Sequence, residues 1–309
     1  MQYTMGISGV EAISAAANVF LGMTTVPIMV KPYLKDMTSS ELHCLITGGF
    51  ATIAGSVLGA YISFGISAAH LLSASVISAP AAIAVSKIFY PETKRPKTLK
   101  SDFEFQMPQE KNIMEAMANA VQDGLKICAA VAAQLIAIIA ELAFLDAVLA
   151  WLGALVNYPE LTFSLICRYL LYPTSWLMGV DTHADCHTVA ELVGTKTFAN
   201  EFVAYGDLSV LIKNRETGLG PTLTVRSEVI ATYALCGFSN LGSIGVMIGS
   251  FGPIASDRKA EVAILCLRAI VAATVACLLT GCIAGLLYDE GPRLYVPDSL
   301  VGNMTTAVY

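Results

Sequence analysis

Long stretches of this chain carry no charge. Residues 42–86 contain no Lys, Arg, Asp or Glu, and neither do 229–256 or 269–288. A helix that crosses a bilayer needs roughly 20 mostly apolar residues. The 269–288 stretch therefore suffices for one crossing, 229–256 for one long or broken crossing, and 42–86 for more than one. Helices of a soluble core set a charged face opposite the apolar one, and these stretches do not.

Between them the pattern is interrupted. Residues 6–22 are small, apolar and Ala-rich and predict a helix. Gly22 to Pro27 breaks it, because neither residue type continues a helix comfortably, and a second apolar run follows at 26–34. Helix, break and helix in so short a span predict a re-entrant hairpin. Membrane depth tolerates one only where protein or water covers the open backbone. Residues 160–205 are broken again, at Pro173, Gly179 and Gly194, and predict a second hairpin, with a polar linker at 206–227. The intervening 87–126 is hydrophilic. Its basic cluster Lys94, Arg95, Lys97 and Lys100 predicts the cytoplasmic side. A span near 127–156 carries Glu141 and Asp146, and membrane carboxylates usually face a bundle interior; helix packing or an interfacial position fits them better than a transport role. Two spans close the chain, joined at Asp257-Arg258-Lys259. With both basic loops inside, the C-terminal tail lies outside, and Asn303-Met304-Thr305 is a glycosylation acceptor consistent with that.

The interruptions repeat. Gly49-Phe50-Ala51-Thr52-Ile53-Ala54 recurs as Gly237-Phe238-Ser239-Asn240-Leu241-Gly242, and a Ser-Glu pair precedes each copy, Ser40-Glu41 and Ser227-Glu228. Upstream of each pair stands an Asn beside a break, Asn18 and Asn200. The predicted fold class is an all-α integral membrane protein of two repeats, each a re-entrant helical hairpin followed by a broken transmembrane helix. Its parts are 1–90 (first hairpin and broken spans), 91–126 (cytoplasmic polar loop and amphipathic helix), 127–160 (long transmembrane helix), 161–227 (second hairpin and linker), 228–288 (two C-terminal spans) and 289–309 (extracellular tail). Paired interrupted helices are the best sequence pointer to a transporter site. Half-helix carbonyls can replace a cation's water shell, and half-helix N-termini favour electronegative substrate atoms.

Composition agrees. The 309 residues are 55% hydrophobic and 14% charged, against about 25% charged in a soluble domain. A net charge of −6 argues against nucleic-acid binding. Cys44, Cys128, Cys167, Cys236, Cys266, Cys277 and Cys282 lie in or beside apolar stretches and read as reduced core residues rather than a disulfide framework. The start, Met1-Gln2-Tyr3-Thr4-Met5, lacks the basic region of a signal peptide. Because the chain enters its pattern abruptly, a missing N-terminal part is expected. Asp181-Thr182-His183-Ala184-Asp185-Cys186-His187 fits no usual zinc spacing and reads as a polar turn before the second hairpin. No nucleophile–base or metal constellation marks an enzyme.

Several motifs at the breaks are specific. Lys31-Pro32-Tyr33-Leu34, Glu41-Leu42-His43, the glycine-rich run Gly49 to Gly65, Asn200-Glu201-Phe202-Val203-Ala204-Tyr205, and Arg226-Ser227-Glu228 with Cys236-Gly237-Phe238 resemble the concentrative nucleoside transporters, animal branch, from about residue 8 to residue 287. The resemblance implies a homotrimer in the plasma membrane, elevator-type motion, and inward Na+-coupled uptake of uridine- or adenosine-like nucleosides. The family's preceding scaffold helices have no counterpart here. It also implies residues. Na+ would be held at Asn18, Leu21, Thr52 and Ile53, the second and fourth through backbone carbonyls, and oxygen ligands suit a hard cation. The ribose would be gripped by Glu201, Asn240 and Ser243, with Phe238 lining the site and Val57 contacting the base. A carboxylate that accepts two vicinal hydroxyls rejects deoxyribose, because an unpaired buried acceptor is costly.

The first hairpin departs from the family, which reads Gly-Gln-Thr-Glu-Ala/Ser-Pro where this chain has Gly22-Met23-Thr24-Thr25-Val26-Pro27. Thr24 keeps a base-contacting polar group. Met23 loses the donor and acceptor of Gln, and Thr25 loses a charge. Two readings follow: a symporter of altered base selectivity, or a non-transporting relative that assembles with or regulates full-length subunits.

Overall fold

The computed structural model describes residues 5–94, 96, 112–251 and 254–289. Arg95, Lys97 and Lys100 of the basic cluster, the Cys128 side chain, Asn303 and the tail from residue 290 lie outside what is described there. Every regular element among the described residues is helical.

The first repeat opens with α1 (Gly9–Asn18), started by a reciprocal cap. Ser8 Oγ accepts from Glu11 N–H, and the Glu11 carboxylate accepts from Ser8 N–H at 2.9 Å. The helix ends before Gly22, whose φ of +75° places it in the left-handed region. There glycine is the residue without a steric penalty; a Cβ would also stand 2.5 Å from that of Ala54. The chain then reverses into α2 (Thr25–Met29) and a single 3-10 turn at Lys31–Tyr33. A second reciprocal cap, Thr38 with Glu41, starts α3 (Ser39–Ala51). Extended backbone at Thr52 and Ala54 separates α3 from α4 (Gly55–Ser63), so this span is broken. α5 (Ala68–Phe89) completes the repeat.

α6 (Ile113–Leu155) and the short α7 (Phe163–Leu170) and α8 (Tyr172–Leu177) lead to the second repeat. Asp146, predicted to face helix packing or an interface, accepts from Phe163 N–H at 2.7 Å at the start of α7. α6 exposes Ile136, Ile139, Phe144 and Trp151.

The second hairpin is α9 (His183–Phe198) and α10 (Glu201–Thr217), followed by α11 (Val225–Leu235), a break at Cys236–Asn240, α12 (Leu241–Phe251) and α13 (Lys259–Leu287). Here the structure corrects the sequence-based boundaries. Gly194 does not interrupt a helix. It lies inside α9, where a Cβ would fall 2.4 Å from the Cys167 Cβ, so it permits α7 to approach α9. The turn is at Ala199–Asn200 instead. It needs no glycine because the Asn200 side chain caps α10 by accepting from Val203 N–H at 3.0 Å, an interaction of about 1 kcal/mol. Residues 206–217, expected as linker, form the second limb of the hairpin.

Among the described residues, three helical stretches, Ser39–Ser63, Ala68–Phe89 and Lys259–Leu287, are long and apolar enough to cross a membrane. α13 packs against α3, α5, α11 and α12. The core divides so that the repeats interlock. One apolar cluster joins α1 to α3 with α12 and α13, and the other joins α4 and α5 with α9, α10 and α11. The halves of the first broken span thus pack in different clusters, and the two breaks abut. Gly237 has φ +137°, and a Cβ there would stand 2.9 Å from the Ala51 carbonyl. Beneath both, the Cys277 thiol donates to Cys236 O at 3.1 Å and to Ala51 O at 3.7 Å. All the described cysteines are free thiols.

Candidate functional site

The breaks and hairpin tips enclose a cavity of about 140 Å3. Met23, Thr24 and Thr25 enter it from the turn of the first hairpin and Val57 from α4. Glu201 enters from the first turn of α10, Phe238 and Asn240 from the second break, and Ser243 from α12. All eight positions expected near a substrate therefore line one cavity, although they span 221 positions of sequence between Met23 and Ser243.

Glu201 is its polar centre. The residue is 6% exposed. Oε2 accepts from Asn240 Nδ2 at 2.7 Å and Oε1 from the Tyr61 hydroxyl at 3.3 Å. Asn240 is fixed at its other end, where Oδ1 accepts from Ser243 N–H at 2.8 Å. A carboxylate offers about four lone-pair sites, so two donors orient it and leave acceptor capacity. Its place in the first turn of α10 also sets negative charge at the positive end of a helix dipole. The arrangement can accept two hydroxyls of one ligand. The opposite wall is apolar: Val57, Phe238, Val246 and the Met23 side chain, which is 8% exposed and packs beside Gly49 and Met247.

Tyr61 was not anticipated. It sits in an apolar run where an aromatic reads as core, and its partner Glu201 is 140 residues away. Its ring also packs on Tyr205 and Phe202. Ser56, Asn200 and Phe202 are further lining residues that sequence reasoning passed over.

The four positions expected around a cation lie beside this cavity. Asn18 ends α1 and is 1% exposed, yet neither Oδ1 nor Nδ2 has a protein partner. The amide lies against Gly48, where a Cβ would be 2.9 Å from Nδ2. Thr52 Oγ1 donates to Gly48 O at 2.9 Å, which leaves its oxygen free to accept. Ile53 follows in the break at 2% exposure, and Leu21 lines the cavity. A buried, unpaired amide costs roughly 1–3 kcal/mol, and here it stands at the carbonyl ends of α1 and α3. Amide, hydroxyl and carbonyl oxygens form a donor set that fits a hard monovalent cation and not a thiolate- or imidazole-seeking metal.

The acidic and histidine-rich turn is occupied otherwise. Asp185 accepts from Thr224 N–H at 3.1 Å, Asp181 pairs with Arg226, and His183 pairs with the Tyr172 hydroxyl. From His183 on, this stretch is not a turn before the hairpin but the start of α9 itself, which these contacts tie to the start of α11.

A helical membrane fold in which two interrupted spans and two hairpin tips close on one cavity defines the class, a solute-transporter core. The family described as "Na+ dependent nucleoside transporter C-terminus" matches residues 70–285, and a "Nucleoside recognition" gate family matches residues 1–68. The chain belongs to the Na+-dependent nucleoside transporter family. It is 50% identical over 313 residues to solute carrier family 28 member 3 of Eptatretus stoutii, covering 98% of this chain and 45% of that protein. It is 51% identical over 297 residues to the Mus musculus protein of the same name (94% and 42%). With sodium/nucleoside cotransporter 2 of Rattus norvegicus it shares 46% over 319 residues (100% and 48%). The chain thus spans less than half the length of these curated relatives. The transporter CNTnw, solved in an inward-facing substrate-bound state, superposes with a TM-score of 0.84 at 35% identity, covering 92% of this chain and 66% of that one.

Proposed function

We propose that this chain forms the substrate- and ion-binding core of a Na+-coupled nucleoside symporter. The observation that carries the reading is the Glu201 carboxylate, buried on the cavity and held by Tyr61 and Asn240 with acceptor capacity to spare. It is placed to receive the vicinal hydroxyls of a ribose, with Ser243 beside Asn240. The nucleobase packs between Phe238 and Val57 and meets Thr24 as its hydrogen-bonding contact on the first hairpin. Met23 supplies thioether surface and Thr25 a neutral hydroxyl, so base selectivity shifts away from hydrogen-bond reading toward apolar contact. Na+ binds at Asn18 and Thr52 with the carbonyls of Leu21 and Ile53, which supplies the partner the Asn18 amide lacks. Because these residues flank the first hairpin turn, Na+ orders the turn that faces the base and thereby couples ion to substrate.

Transport then follows an elevator-type cycle, in which the hairpins and broken spans move together past a fixed scaffold; the interlocked core supports their moving as one body. The exposed apolar residues of α6 are suited to lipid or to neighbouring subunits of a homotrimer in the plasma membrane. The test is radiolabelled uridine and adenosine uptake by cells expressing the complete gene product, with and without Na+. Na+-dependent uptake of either is expected. Absence of Na+-dependent uptake of any nucleoside, with the protein at the cell surface, refutes the symporter reading.

A further inference from the structure

A buried lysine stands at the second break. Lys196, in the last turn of α9, is 1% exposed and among the largest fully buried side chains. Its Nζ donates to Ser239 Oγ and, at 3.5 Å, to Ala234 O. Ser239 lies in the break itself and Ala234 in the last turn of α11. An ammonium has three donors and no acceptor, so it requires what a dehydrated metal cation requires, a set of oxygens. The end of α11 supplies them, with carbonyls that have no onward helical partner and the negative end of the helix dipole.

The first break is built alike. Gly48 stands in the last turn of α3 and Ala234 in the last turn of α11, each just ahead of its break. Against Gly48 lies Asn18, from the end of the first limb of hairpin one. Against Ala234 O lies Lys196, from the end of the first limb of hairpin two. The first cradle meets a neutral amide with both polar atoms unpaired; the second meets a charge carried on a side chain. Moving an ion-sized charge into a protein interior is costly unless it is well partnered, so burial of Lys196 at this place argues for a cation-binding environment there. Glu201, five residues on, lies within electrostatic reach of the ammonium.

We propose that Lys196 is a built-in cation filling the second repeat's counterpart of the Na+ site, so that it fastens hairpin two to the α11–α12 break whether or not Na+ is bound. The proposal rests on the symporter reading for its consequence: the ribose side of the cavity, with Glu201, is permanently assembled, and only the first hairpin answers to Na+.

The test replaces Lys196 in the complete gene product and normalises uptake to surface protein. Lys196→Met keeps the stem and removes the charge, and uridine uptake should fall at least tenfold. Lys196→Asn gives the second break the side chain of the first. Its uptake should recover at raised Na+, with a Na+ dependence steeper than wild type by about one ion in the Hill coefficient. A wild-type Na+ curve for Lys196→Asn, or wild-type uptake for Lys196→Met, overturns the proposal. Where neither variant reaches the surface, thermal melting of purified Lys196→Ala decides. Stabilisation by methylammonium beyond that by equal choline supports the built-in cation, and equal stabilisation overturns it. Melting needs no transport, so failure of the symporter reading, seen as wild-type protein without Na+-dependent uptake, stays distinct from failure of this one.

Discussion

Glu201→Gln is the most informative single substitution. It preserves shape and removes one charge. In the wild type both carboxylate oxygens accept, from Asn240 at 2.7 Å and Tyr61 at 3.3 Å. Gln has one acceptor oxygen. Its NH2 group must either oppose the Asn240 NH2 or face the Tyr61 hydroxyl, which then accepts instead of donating, and the one remaining acceptor oxygen has less capacity for ligand. Hydrogen bonds to a charged group contribute about 1.5–3 kcal/mol each, and 1.4 kcal/mol is tenfold in affinity. Loss of one charge-assisted bond to a ribose hydroxyl therefore predicts a roughly 10- to 150-fold rise in KM for uridine. The assay is initial-rate uptake of labelled uridine at saturating Na+, normalised to surface protein, with 2′,3′-dideoxyuridine as competitor. If Glu201 reads the diol, the preference for uridine over the dideoxy analogue collapses toward one in the variant. A KM within about twofold of wild type, or an unchanged preference, refutes the assignment.

Other outcomes follow from the same geometry. Asn18→Leu removes the unpaired amide from the proposed ion site; the Na+ concentration for half-maximal uptake should rise at least tenfold while the folded yield holds. Met23→Gln with Thr25→Glu restores hydrogen-bonding capacity on the base side and should widen or strengthen nucleoside uptake across a panel of bases; an unchanged panel would show that these side chains do not meet substrate. Gly237→Ala forces a Cβ into left-handed backbone, a strain of about 1–3 kcal/mol, and against the Ala51 carbonyl at 2.9 Å. Melting of the detergent-solubilised protein should occur several degrees lower, and an unchanged melt would refute the close contact.

Much of this architecture is legible because the bilayer imposes simple demands. The charge-free windows mark the spans, and Gly22 with Pro27 marks the first hairpin. The repeated glycine-rich hexapeptide marks the two breaks. The second hairpin is harder to read. Its turn at Ala199–Asn200 has neither glycine nor proline, and the visible punctuation, Gly194, serves close packing on Cys167. The capping pattern of Asn200 with Glu201 in the first turn was the usable signal, and it is weaker than a glycine. In the cavity, Glu201, Asn240 and Phe238 stand in motifs and so were legible, whereas Tyr61 and Lys196 were not. Each of those two takes its role from a partner far along the chain, 140 positions away for Tyr61 and 43 for Lys196, and local sequence carries no trace of such pairings.

The contact of the two breaks has a consequence for how this sequence can vary. Ala51, Gly237 and Cys277 come from three distant parts of the gene yet share one small volume, with all three buried. An added methyl at any of them must be matched by space given up elsewhere in the contact. Substitutions at these three positions should therefore be tolerated best in compensating pairs. A single enlargement pushes the two breaks apart, so the join between the two repeats should tolerate less change than the cavity it supports.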